Sequence, residues 1–161
     1  MLAGDEIRRR RVVALDDLGA HLQPNGIDLS LDSVWTFADS GALGIDNTDR
    51  RLPPRTELEF DPQGWLYLEP ETYGIRYAEP VEIPTDCGGL CFPRSSLLRM
   101  GCDVPTAVWD AGYRGRGEGL IVVSNPHGVR IRRGARIAQL VLFGLTEVTA
   151  GYRGRYQDEN R

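Results

Sequence analysis

The sequence predicts an all-β domain with a few short helices, on three grounds. Apolar and polar residues alternate with a period of two over several short runs, the spacing of half-buried strands. Turn residues recur between those runs at close intervals, as in a sandwich or barrel. The gaps are too short for βαβ crossovers, which excludes a parallel α/β sheet. At 161 residues the chain is expected to build one core over residues 1–150, followed by a flexible polar tail over 151–161.

The chain opens on a short helix. Asp5 and Glu6 precede Ile7, and an acid is favourable at the positive N-terminal end. The arginines at 8–11 read as a solvated face or an inter-subunit contact ahead of a nucleic-acid arm. Residues 16–20 are expected to form a second turn or helix. Period two then takes over. Ile27, Leu29 and Leu31 alternate with Asp28, Ser30 and Asp32, a half-buried strand entered from a Pro24-Asn25-Gly26 turn. Residues 39–55, rich in Asp and Gly and containing Pro53-Pro54, form a long loop. Short strands follow at 56–60, 65–68, 73–77 and 81–83, separated by turns such as Asp61-Pro62-Gln63-Gly64. Another strand spans 88–92, and 95–100 supplies one or two helical turns. Residues 136–143 are apolar enough to be a core strand.

Composition narrows the function classes. Hydrophobic content of 41% and charged content of 26% are ordinary globular values. A net charge of −4 argues against a nucleic-acid partner. All 19 basic residues are arginine, whose planar fork suits phosphate at particular positions, although most arginines only face solvent. Cys87, Cys91 and Cys102 lie far from His21 and His127, too few donors for a four-ligand zinc site, so they are expected as reduced, buried thiols. No signal segment or membrane-length apolar run is visible, and a cytoplasmic protein with no membrane partner is the expectation.

Four segments could carry chemistry. In Ala107-Val-Trp-Asp110-Ala-Gly-Tyr113-Arg-Gly115-Arg-Gly117-Glu118-Gly119, a lone acid stands beside an aromatic and arginines. Such a group could activate water against an anionic substrate. The alternate glycines suggest a hairpin tip rather than the phosphate turn of a dinucleotide-binding fold. Pro93-Arg94-Ser95-Ser96-Leu-Leu-Arg99 offers a guanidinium, hydroxyls and backbone N–H groups at a helix start, an anion site, unless Ser95 only caps the helix. Gln139 is either a donor or a satisfied structural amide. In the tail, Arg155, Tyr156 and Gln157 offer donors with little apolar surface.

Together these segments match a known pattern. Gln23-Pro-Asn-Gly-Ile-Asp28-Leu, Pro93 to Arg99, Val108 to Gly115 and Arg136-Ile-Ala-Gln139-Leu-Val resemble, in order, four motifs of the dUTPase and dCTP deaminase superfamily. Arg155-Tyr156-Gln157 is similar to the C-terminal motif of the deaminase branch. Five ordered motifs are far more specific than any one. The resemblance implies a distorted jelly-roll β-barrel, a homotrimer with active sites shared between subunits, and a deoxynucleoside triphosphate bound with Mg²⁺ held mainly by the triphosphate and waters. It implies that Arg94, Ser95, Ser96 and Gln139 hold phosphates, with Arg99 a further possible contact, and that Asp110 activates water. It implies that Tyr113 packs on the deoxyribose, that backbone near Thr106 and Ala107 reads the base, and that Asp28 is structural or lies behind the metal's ligands. Arg155, Tyr156 and Gln157 would close over the triphosphate.

The two chemistries of the superfamily need different groups. Hydrolysis of dUTP to dUMP and pyrophosphate needs an oriented water, charge neutralisation and a carboxylate base. Zinc-free deamination of dCTP needs a carboxylate at C4 of the base. The resemblance places that glutamate in the strand after the glycines, where counting from Asp110 reaches Leu120 and counting back from Asn125 reaches Val122. Neither moves a proton. Glu118, the acid close by, sits in the glycine-rich tip, where a carboxylate is expected to be solvent-exposed and poorly preorganised. A dUTP diphosphatase is therefore expected. The alternatives are a dCTP deaminase, a bifunctional deaminase and diphosphatase, or a non-catalytic nucleotide-binding regulatory module.

Overall fold

The structure, a computed structural model, describes residues 1–14 and 19–160. The turn expected at 16–20 thus lies mostly outside the described residues. Helix α1 (Gly4–Arg9) is followed by strands β1 (Leu22–Gln23) and β2 (Gly26–Phe37). The long loop carries a 3-10 turn at Asn47–Asp49 and leads into β3 (Arg55–Glu57). Then come β4 (Trp65–Leu68), β5 (Thr72–Tyr77), β6 (Val81–Glu82) and β7 (Cys87–Pro93). Helix α2 (Ser95–Arg99) and β8 (Cys102–Asp103) precede β9 (Arg114–Gly115) and β10 (Glu118–Val123). Strands β11 (Val129–Arg132) and β12 (Arg136–Gly144) close the barrel.

Strand β2 organises the barrel. In the main sheet the order is β7-β12-β2-β5-β10-β8, with β1 and β3 also on β2, and two small sheets pair β11 with β4 and β6 with β9. The named pairings are antiparallel. Register shifts between Leu31 and Ser33, and between Arg136 and Ala138, are the irregularities that let a long strand curve between neighbours. Ile27, Leu29, Leu31, Ile75, Ile121, Ile137, Leu140 and Leu142 are fully buried along these strands. Each such side chain contributes about 1.5–3 kcal/mol relative to exposure. This is the all-β barrel with short helices that the alternating pattern predicts.

Two sequence expectations change. The polar face of β2 is not solvated, since Asp28 and Ser30 are 1% and 4% exposed. Side chains from Gln23, Arg94 and Arg136 cover Asp28, and the Ser30 N–H donates to Glu79 Oε2 at 2.8 Å. The glycine-rich stretch is not a hairpin tip either. Strand β9 pairs with β6, whereas β10 pairs with β5 and β8, so residues 114–119 carry the chain from one sheet to another. A Cβ on Gly117 would sit 2.4 Å from the Trp109 indole, so only glycine lets the backbone pass beneath that ring.

The arginines at 8–11 are exposed, as a solvated face would be, and within the chain Arg9 pairs with Glu6 and Arg10 bridges Glu6 and Asp86. The helix N-cap is Ala3, whose side chain makes no capping hydrogen bond. The three cysteines are buried free thiols, and burial pushes Cys91 up to about 12. Among the described residues no helix is long and apolar enough to cross a membrane.

Candidate active site

A cleft of about 800 Å³ opens between the end of β2, the residues before β3, segment 105–110, the start of β10 and the tail. Its wall is a run of aromatic rings. Trp109 meets Tyr113 edge-on at 5.3 Å, Tyr113 meets Tyr152 at 6.1 Å, and Tyr77 backs Trp109 at 5.9 Å. These are the edge-on and tilted geometries that aromatic pairs prefer. The main chain of Trp109 exchanges two hydrogen bonds with Gly89, each 2.9 Å. That ladder fixes the next residue, Asp110, at the rim. The Tyr113 N–H donates to the Asp110 carbonyl at 3.1 Å, a tight turn that keeps both residues on the lining of one cleft. Gly112 takes φ +78° there, and a Cβ would meet Gly151 at 2.7 Å.

Thr106, Ala107, Asp110, Tyr113 and Glu118 all line this one cleft, with Tyr156 from the tail. The carboxylates differ in their surroundings. Glu118 is the first residue of β10 rather than a free turn acid. Its Oε1 accepts from Arg55 Nη1 at 2.9 Å and Asn160 Nδ2 at 3.2 Å. Glu159 Oε1 accepts from the Tyr113 hydroxyl at 2.9 Å. Burial raises the Glu159 carboxyl above its usual range, the Tyr113 hydroxyl opposes that, and Glu118 adds to it. The Tyr113 phenol is likewise held above its ordinary value, first by burial and then by Glu159. Asp110 is exposed, and no side chain among the described residues donates to its carboxylate.

A second polar cluster lies elsewhere on the chain. Asp28 Oδ2 meets Arg94 Nε at 2.9 Å, Arg136 Nη1 at 3.2 Å and Gln23 Nε2 at 3.1 Å. Burial raises the Asp28 carboxyl and the two guanidiniums pull against it. Arg94 Nη1 also donates to the Arg136 carbonyl at 3.3 Å. Gln139 pairs in register with Asp28 across β12 and β2 and packs against Gly26, where a Cβ would meet its Nε2 at 2.8 Å. Ser95 and Ser96 are exposed at the start of α2, as is Arg99 at its end. The N-cap of α2 is Arg94, with no side-chain capping bond, so capping does not account for Ser95. None of Arg94, Ser95, Ser96 and Gln139 lines the aromatic cleft. The chain brings the acid, sugar and base candidates together with Tyr156 of the tail, and leaves Arg94, Ser95, Ser96 and Gln139 outside that lining.

The tail is folded against residues 111–118. Tyr152 N–H donates to the Ala111 carbonyl at 2.7 Å, and Arg116 N–H to the Glu159 carbonyl at 3.1 Å. Gln157 clips the same stretch, its Nε2 donating to the Gly112 carbonyl and its Oε1 accepting from the Arg114 N–H. Arg114 adds an ion pair to Asp158 at 2.7 Å. Both amide atoms of Gln157 are thereby used within the chain, whereas Arg155 is exposed.

Several lining residues escape a reading of the sequence: Trp35, Phe37, Leu52, Pro53, Arg55, Tyr152 and Glu159. Arg55 reaches the cleft because β3 pairs with the end of β2, a long-range contact with no local signature. Glu159 lies two residues beyond Gln157, and only the docking of the tail gives it meaning.

Known proteins share this architecture and sequence. A family model described as dCTP deaminase-like matches residues 1–145. A probable deoxyuridine 5'-triphosphate nucleotidohydrolase of Methanosarcina mazei is 45% identical over 145 residues, 89% of this chain and 85% of that protein. The protein so named from Archaeoglobus fulgidus is 43% identical over 165 residues, 99% of this chain and 97% of its own. Among solved structures, the 2'-deoxycytidine 5'-triphosphate deaminase of Agrobacterium tumefaciens superposes with a TM-score of 0.64 at 25% identity. That match covers 88% of this chain and 47% of the deaminase, so this chain spans about half of that protein. With the match running through the barrel and every motif up to the tail, the chain belongs to the dCTP deaminase-like family.

Proposed function

We propose that this protein is a dUTP diphosphatase, hydrolysing dUTP to dUMP and pyrophosphate. The observation that carries the reading is the state of the acids in the cleft. Glu118 is engaged by Arg55 and Asn160, and Glu159 by Tyr113. Asp110, exposed as Glu118 is, alone among them has no side-chain donor, and it stands at the edge of the aromatic wall. A carboxylate placed so can take a proton from water as that water attacks the α-phosphorus. The strand positions where a deaminase would need its acid, Leu120 and Val122, are apolar. Relatives 43–45% identical over most of the chain are named probable deoxyuridine 5'-triphosphate nucleotidohydrolases.

In this reading Tyr113 packs against the deoxyribose and leaves no room for a 2'-hydroxyl. The backbone at Thr106 and Ala107 reads the pyrimidine. Arg94, Ser95, Ser96 and Gln139 bind phosphates from a neighbouring subunit, with Arg155, Tyr156 and Gln157 closing over them. Separation of those groups from the cleft of their own chain supports a homotrimer with shared sites. So do Phe92, Leu98 and Met100, exposed by 43–57% around Arg94 to Ser96.

The residue set also fits Mg²⁺ brought in on the triphosphate. Among the described residues no group of three or more His, Cys, Asp or Glu side chains converges, and magnesium typically keeps waters and uses one or two carboxylates with substrate phosphates. Asp28 is taken up by its arginines, so the ion would be held mainly by the triphosphate and waters. When bound, the ion would neutralise charge on the phosphates. We propose a cytoplasmic site of action.

Incubation with dUTP and dCTP separately, with Mg²⁺, while following pyrophosphate and ammonia, tests the proposal. Pyrophosphate from dUTP and no ammonia from dCTP is the expected result. Ammonia from dCTP would overturn the choice of chemistry, and tight dUTP binding without turnover would favour a regulatory binding module.

A further inference from the structure

Three carboxylates, Asp110, Glu118 and Glu159, line the cleft, and Arg55 is its one cationic side chain among the described lining residues. Arg55 opens β3, opposite Phe37 of β2. Its guanidinium lies 4.6 Å from the Trp35 ring and donates to Glu118 Oε1 at 2.9 Å. Trp35 is itself pinned, because a Cβ on Gly74 would sit 2.1 Å from its indole. The guanidinium is thus stacked from one side and anchored at its edge.

A partly exposed ion pair of this kind adds little to stability. Its effect on a polyanion entering the cleft is larger, because an uncompensated carboxylate within several ångströms of a triphosphate opposes binding. We propose that Arg55 is a positioning residue of the nucleotide cleft, held by Trp35 so that it neutralises Glu118 and lets an acidic cleft accept a triphosphate. This rests on reading the cleft as the nucleotide site.

The test compares Arg55→Met, Glu118→Gln and the double variant. Methionine keeps apolar contact with Trp35 and removes the charge. Arg55→Met is expected to raise KM for dUTP about tenfold, with kcat and the affinity for uncharged deoxyuridine close to wild type. Glu118→Gln frees Arg55 and is expected to tighten dUTP about threefold. The double variant is expected to recover most of the loss. Equal weakening of deoxyuridine and dUTP by Arg55→Met, or no rescue by Glu118→Gln, would show a packing role and overturn the proposal. Should Arg55→Met not fold, Glu118→Gln alone decides, and an unchanged dUTP affinity sinks the idea. Failure of the wild type to turn over dUTP would count against the diphosphatase reading alone. Direct binding of dUTP and deoxyuridine to the same variants would then still decide the role of Arg55.

Discussion

The Tyr113 hydroxyl donates to Glu159 Oε1 at 2.9 Å, so the residue assigned to the sugar is covered in this conformation by an acid of the protein's own tail. The same tail spends Gln157 on the Gly112 carbonyl and the Arg114 N–H. A tail that closes over phosphates with Gln157 must first release these amide contacts, so docking in this conformation competes with the closed arrangement.

That competition is pH-dependent with a defined sign. Burial raises the Glu159 carboxyl above its ordinary value. A raised carboxyl contributes docking stability that is fully present below the ordinary value and is lost as pH rises through the raised one. Protection from hydrogen exchange at Arg114 and Arg116, whose N–H groups bond the tail, should therefore fall from pH 4 to pH 8 after correction for intrinsic exchange. Glu159→Gln should flatten the profile. Protection that grows with pH would reverse the assignment.

The Asp28 cluster makes a prediction about stability. One oxygen of a nearly inaccessible carboxylate gathers Arg94, Arg136 and Gln23. Removing a buried partner leaves charge without compensation, typically at 3–5 kcal/mol. Both arginines keep about a third of their side-chain surface, so Asp28→Ala is expected to cost about 2–3 kcal/mol, read as a lower midpoint in urea. Asp28→Asn retains one acceptor oxygen and should cost less. A midpoint unchanged by Asp28→Ala would show that the arginines do not depend on it.

Much of this barrel is legible in the sequence, and the exceptions have physical causes. A nearly continuous apolar run locates β12, and period two locates β2, β4 and β5. It misjudged Asp28 and Ser30, since alternation marks two faces without saying that side chains from distant segments cover the polar one. It passed over β11, where Val129 and Ile131 alternate with arginines for only four residues. Glycine spacing suggests a hairpin because a crossover between sheets needs the same backbone freedom, and long-range pairing of β9 with β6 and of β10 with β5 and β8 distinguishes the two. The cleft was half legible. Its local segment, from Thr106 to Tyr113, was found in the chain, whereas Arg55 and Glu159 enter through pairings 63 and 46 residues apart.

Gly117→Ala follows from that crossover. The new methyl would overlap the Trp109 indole at 2.4 Å, and overpacking of this size costs about 1–3 kcal/mol. The Trp109 main chain, laddered to Gly89, also fixes Asp110 at the rim, so a displaced ring should lower kcat along with thermal stability. Trp109→Phe in the same background provides the check. A smaller ring should restore stability in part, and a double variant no better than Gly117→Ala would show that the strain lies elsewhere.

Asp110→Asn isolates the proposed base. The amide keeps the side chain's shape and loses the proton-accepting charge, and positioned general bases contribute about 10²–10⁴-fold. Pyrophosphate release from dUTP should fall by roughly that factor. The thermal midpoint should stay near wild type, because the native carboxylate is exposed and has no side-chain donor among the described residues. The KM for dUTP should change little if the acid acts on water rather than on the nucleotide. A variant that keeps near wild-type turnover would remove Asp110 from the mechanism. The base would then have to be Glu118 or Glu159, each released from the partner that holds it here.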